Sequence, residues 1–145
     1  MPLSKPPRNE FLTDVLFSLA KRRRAIRYHV RDFAVEKVLE RTDGEEVEKL
    51  EVDCTLLTPC STTARLFVWE DRWVWVDARS VNEGKRGWAW QFTTQGRATG
   101  GLDGRKLVEV FEASIAAASR VHDDNAQILR DMWKPLLAAG PKPIH

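Results

Sequence analysis

The chain has little of what staples or catalyses. Its 145 residues include two cysteines, three histidines, two methionines and one tyrosine. Cys54 and Cys60 match no metal-ligand spacing and are read as reduced thiols of a cytoplasmic protein, although a secreted domain can join such a pair. Long hydrophobic runs are missing too. The apolar stretch Phe11 to Ala20 is broken by Asp14 and is followed, not preceded, by cations, so it reads neither as a spanning helix nor as a signal peptide. No membrane role is expected. Internal repeats and low-complexity segments are absent, and no residue pattern ties the chain to a family.

What is present describes an ordinary globular domain, 43% hydrophobic and 30% charged. A chain of this length can bury roughly 70% of its unfolded surface without a metal or disulfide. The net charge of +2 argues for no charged partner, but its distribution is uneven. Lys21, Arg22, Arg23, Arg24, Arg27 and Arg31 form a basic block without an acid, whereas the segment from Glu36 to Asp53 is strongly acidic. The two blocks would offset each other if the strands carrying them paired.

Periodicity gives the outline. Residues 1–8 read as a flexible leader. From an Asn9 cap, Leu12, Val15, Leu16 and Leu19 follow helical spacing to about residue 24. Ile26, Tyr28 and Val30 then alternate with polar residues at strand spacing, with a bulge expected near Asp32. A helix over 33–41 is the alternative. Thr42-Asp43-Gly44-Glu45 reads as a turn into a returning strand over 47–57. Leu66 to Trp69 and Trp73 to Val76 form a hairpin, and Trp88 to Thr93 a further strand. Leu107, Phe111 and Ile115 mark one helical stripe; Ile128, Leu129, Met132 and Trp133 mark another, ended or kinked by Pro135. The spacing leaves open whether one bent helix or two run over 105–137. The expected fold is α+β. A single antiparallel meander of about four to six strands carries an N-terminal helix and one or two C-terminal helices on one face. The domain is set at 9–139, with a flexible tail at 140–145.

Five of the six tryptophans lie between positions 69 and 90. Their meaning depends on the hairpin register, because a slip of one residue turns every side chain over. A three-residue loop puts Phe67, Trp69, Trp73, Trp75 and Asp77 on one face and Leu66, Val68, Val74, Val76 and Ala78 on the other. A two- or four-residue loop mixes the two sets. In the first register helices cover the aliphatic face and leave an aromatic wall, which Trp88, Trp90 and Phe92 are expected to extend. The bland reading is that the rings are core, since strands favour aromatics. The functional reading is a wall lining a cleft or an interface.

Three function classes follow. The first is a non-catalytic module using the wall to bind a partner protein, a second copy of itself or an apolar small molecule. Trp69, Trp73, Trp75, Trp88 and Trp90 would make the contacts, with Arg72 and Asp77 as orienting groups. The alternative is nucleic-acid binding by Arg22, Arg23, Arg24 and Arg27, with Lys85 and Arg86 beside Trp88 and Trp90. The third is a small enzyme using Asp77, an acid among apolar strand residues. No convergent catalytic set, metal site or cofactor motif supports the third. Gly100-Gly101-Leu102-Asp103-Gly104 precedes a helix but lacks the phosphate-loop pattern and reads as a structural turn.

Overall fold

The computed structural model describes residues 10–58, 60–81, 88–120 and 124–138, with Thr42 and Trp88 described by backbone only. The expected leader and tail, together with Lys85 and Arg86, lie outside the described residues.

Helix α1 (Glu10–Arg27) is followed by five antiparallel strands in meander order. These are β1 (Val30–Thr42), β2 (Glu45–Leu56), β3 (Ser61–Trp69), β4 (Trp73–Val81) and β5 (Trp88–Ala98). Helices α2 (Gly104–Ala118) and α3 (Asn125–Trp133) come next. A short 3-10 turn over Lys134–Leu136 leads into β6 (Leu137–Ala138), which adds a sixth strand beside β5. The fold is therefore α+β with two C-terminal helices, and α3 ends at Trp133 just ahead of Pro135.

Helix α1 runs past the expected stop. Leu12, Val15, Leu19 and Ile26 keep one buried stripe, so Ile26 completes a helical face instead of opening a strand. Tyr28 and His29 form the turn that follows. The strand reading of 33–41 holds, and the register of β1 against β2 shifts between Val30 and Asp32, where the bulge was expected. The β1–β2 turn places Asp43 at φ 52° and Gly44 at φ 81°. Both are left-handed, as a two-residue hairpin turn requires.

One face of the sheet carries the hydrophobic core. Leu50, Val52 and Cys54 of β2, Leu66 and Val68 of β3, Val74 and Val76 of β4, and Phe92 of β5 are buried there. Leu12 and Val15 of α1, Leu107 and Phe111 of α2, and Leu129 and Trp133 of α3 close it from above. Trp133 is fully buried and its indole N–H donates to Ser114 at 2.8 Å, so its one polar atom is satisfied inside the core. Gly104 starts α2 where it meets α1, and a Cβ there would lie 2.6 Å from the Asp14 Cβ. The Asp103 side chain caps α2, accepting from the Lys106 N–H at 2.8 Å. The glycine-rich segment thus works as a turn and a helix-packing contact.

Candidate functional site: the aromatic face

The hairpin loop decides where the tryptophans point. Val68 pairs with Val74, Phe67 with Trp75 and Arg65 with Asp77, which leaves Glu70, Asp71 and Arg72 as a three-residue loop. The Trp69 carbonyl accepts from the Arg72 N–H at 3.0 Å, and the Asp71 carboxylate accepts from the Trp73 N–H at 3.1 Å. Arg72 sits at φ 72°, a position that glycine usually fills in such loops. Its guanidinium lies 4.4 Å from the Phe11 ring and donates to the Leu102 carbonyl, so it reaches toward the helix layer and not over the aromatic face.

With this register Phe67, Trp69, Trp73 and Trp75 share the face opposite the helices. Trp69 and Trp73 are only 7% and 4% exposed, yet neither belongs to the hydrophobic core cluster. They are buried by their neighbours on the outer face. The Phe67 ring lies 4.9 Å from Trp75 in a tilted stack and meets Trp69 edge-on at 6.3 Å. Such pairs are worth about 0.5–1.5 kcal/mol each beyond simple burial. Lys49 stands opposite Trp69 in the ladder, and its ammonium lies 5.3 Å from both the Phe67 and Trp69 rings. Glu40 of β1 accepts from the Trp69 indole N–H at 2.9 Å and faces Lys49 at 3.7 Å. Arg97 of β5 covers Trp73 at 5.9 Å. Phe67 and Trp75 remain half-buried, the part of the cluster that solvent and ligands can reach.

Asp77 is buried on the same face and accepts from the Thr93 hydroxyl at 2.8 Å. Arg65, opposite it in register, pairs with Asp53 at 3.1 Å. A cavity of about 560 Å³ is lined by Asp32, Asp53, Thr55, Thr63 and Arg65 next to Phe33 and Cys54. Arg65 and Phe67 are alternate residues of β3, so this polar depression continues into the aromatic cluster. Burial, with the Asp53 charge adding to it, pushes the Cys54 thiol up to about 12 and keeps it protonated at neutral pH.

The last strand does not extend the wall as expected. Phe92 lies opposite Ala78 and Trp90 opposite Ser80, which puts both on the helix side. There Phe92 is core and Trp90 packs against the core. Trp88 pairs with Val81 beyond a register irregularity, and its side chain is outside the described residues. Of the expected binding residues, the structure brings together Trp69, Trp73, Trp75 and Asp77. Phe67 joins them on the face that the three-residue register assigned to it, and the structure adds Lys49 and Glu40, which the hydrophobic pattern alone did not single out.

The basic block is elsewhere. Arg22 makes a two-pronged ion pair with Glu112 of α2 at 2.5 and 2.7 Å, which raises its pKa. Arg23, Arg24 and Arg27 are exposed on α1, across the sheet from the aromatic cluster. The acidic segment is offset mainly within its own hairpin, by Lys37 with Glu48 at 3.2 Å and Lys49 with Glu51 at 3.2 Å. Among the described residues no group of three or more His, Cys, Asp or Glu side chains is arranged to hold a metal. No described helix is long and apolar enough to cross a membrane.

No family model, curated protein or solved structure matches the chain.

Proposed function

We propose that the protein is a non-catalytic binding module that takes an apolar ligand onto the outer face of its sheet, at Phe67 and Trp75. The ligand is either the side chains of a partner protein or an apolar small molecule. One observation supports this most directly: four aromatic side chains share one face, with Phe67 in ring contact with Trp69 and Trp75, and the thickness of the sheet separates them from the hydrophobic core. A core needs no such cluster, and the half-buried Phe67 and Trp75 leave apolar ring surface within reach of a ligand. Trp69 and Trp73, held by Glu40, Lys49 and Arg97, form the fixed floor. Phe67 and Trp75 present the contact area, and Asp77 and the depression at Arg65 supply polar groups at its edge.

Titration with bis-ANS, an aromatic dye that brightens on apolar surface, tests this reading. The folded protein should bind the dye saturably. The Phe67→Ser/Trp75→Ser double variant should bind it about tenfold or more weakly while keeping its circular dichroism. Equal binding by both proteins, or no binding by the wild type, would sink the proposal.

A further inference from the structure

The free edge of β1 carries an inference separate from the aromatic face. β1 is thirteen residues long and ends the sheet; among the described residues it pairs only with β2. A long edge strand offers unpaired backbone groups to another strand. The two-residue turn after Thr42 fixes which residues offer them. Thr42 and Glu45 close the hairpin as a hydrogen-bonded pair, so even-numbered residues of β1 bond to β2. Phe33, Val35, Lys37 and Leu39 therefore direct their N–H and C=O groups outward. Their side chains point to the helix side, in phase with Cys54, Val52 and Leu50, but the helix layer does not cover them fully. Leu39 is 62% exposed and Val35 36%. At the opposite edge the two-residue β6 pairs with β5 at Arg97 and Ala98.

We infer that β1 pairs antiparallel with β1 of a second copy of this chain, about a twofold axis at Val35, joining two sheets into one. Charge selects this register. Antiparallel partners share a face, so the axis must fall on a residue. On Ala34 it would set Asp32 against Glu36. On Glu36, Lys37, Glu40 or Arg41 it would set a charge against its own copy. On Val38 it would oppose Glu36 and Glu40, and on Leu39 it would oppose Lys37 and Arg41. On Phe33 the ladder would run into the bulge between Val30 and Asp32 after one residue on either side. Like charges directly opposite are destabilising, and a bulge interrupts the bonding. The axis at Val35 opposes no like charges and lets the ladder run three residues to either side, to Asp32 and Val38, before the bulge. Val35 then meets Val35, and Phe33 lies under the stem of Lys37. Val38 stands opposite Asp32, the last pair before the bulge. The lysine that would protect a lone edge becomes a packing partner.

Light scattering across a concentration series should give a mass that moves from one chain to two. Val35→Pro removes an outward N–H, which a free edge tolerates, and should weaken dimerisation about tenfold or more with unchanged circular dichroism. Val35→Arg, which places like charges on the axis, is the second variant should the proline perturb folding. Register is read with spin labels in a Cys60→Ser background, Cys54 being buried. A label at Val35→Cys should show strong dipolar broadening at a backbone spacing of about 5.5 Å. Labels at Leu39→Cys should lie eight residues out of step, about 27 Å apart along the strand. A monomer at every concentration overturns the inference, and so does a dimer in which position 35 shows no broadening. Loss of dye binding in the Phe67→Ser/Trp75→Ser variant bears only on the aromatic face, so the two proposals fail independently.

Discussion

Replacing Gly104 with alanine tests whether the glycine-rich segment before α2 is a packing device, and its sign is unusual. In most helices alanine is favoured over glycine by about 1 kcal/mol. Here the added Cβ would lie 2.6 Å from the Asp14 Cβ, 2.7 Å from the Val15 nitrogen and 2.9 Å from the Asp14 carbonyl carbon. Carbon atoms in ordinary contact are about 3.5–4 Å apart, so the overlap is about 1 Å. Two of the three atoms are α1 backbone, which no rotamer change can move. The helices must separate, and the fully buried contacts among Val15, Leu107, Val108 and Phe111 must loosen with them. Overpacking of this kind costs about 1–3 kcal/mol and occasionally more. An overlap of about 1 Å against α1 backbone puts the cost at the upper end, about 3 kcal/mol. After the propensity gain the expected net loss is about 2 kcal/mol, or a fall in Tm of about 4–8 °C for a chain this size. Gly100 and Gly101 supply the internal control, because nothing lies within 4 Å of a Cβ at either position. Alanine there should be neutral or raise stability by up to about 1 kcal/mol through the unfolded chain. Thermal melts of the three single variants decide the matter. A Gly104→Ala protein as stable as the wild type would refute the close approach of α1 and α2.

Two further outcomes follow from the ionisable groups. The Cys54 thiol is raised in the folded state from 9.0 to about 12, so the stability tied to its neutral form is complete below about pH 9 and is lost as pH rises toward 12. Cys54→Ala should flatten the stability profile over that window. In the wild type Ellman's reagent at pH 8 should modify Cys60 well before Cys54, and equal rates in the folded protein would contradict the burial. The Arg22–Glu112 pair joins α1 to α2 with side chains 39% and 18% exposed, so solvent screens it. Glu112→Gln should cost about 0.5–1 kcal/mol in urea melts, less at high salt, and a salt-independent loss would point to packing instead.

How much of this was legible depended on local chemistry. The bulge near Asp32 and the Asp43-Gly44 turn were readable because a break in alternation and a left-handed glycine leave marks in the sequence. The α+β meander followed from the order of periods. The end of α1 was misplaced because Ile26, Tyr28 and Val30 alternate over too short a span to outweigh the helical stripe that Ile26 completes. The hairpin register stayed open because Arg72 holds the positive φ where a glycine would have announced the three-residue loop. Trp90 and Phe92 were assigned to the wrong face for a related reason. Their strand alternates cleanly in either orientation, and only pairing with Ser80 and Ala78 settles it. Lys49 and Glu40 could have been found from sequence: once both turns are fixed, counting back along β1, β2 and β3 brings them to Trp69.

The two proposed surfaces constrain each other. A twofold through Val35 stands perpendicular to the joined sheet, so both aromatic faces emerge on the same side and both helix layers on the other. Pairing through β1 therefore leaves Phe67 and Trp75 uncovered, and it sets the polar depressions at Asp32, Asp53 and Arg65 on either side of the seam. A self-association that used the aromatic wall would instead stack the sheets face to face and occlude the ligand site. The protein then could not be a dimer and a binding module through the same residues at once. Dye titration of the dimer separates these geometries. With the edge-paired arrangement, affinity for bis-ANS per chain stays constant as the concentration series crosses from one chain to two. With face-to-face stacking it falls in step with dimer formation, because dye and second copy compete for Phe67 and Trp75.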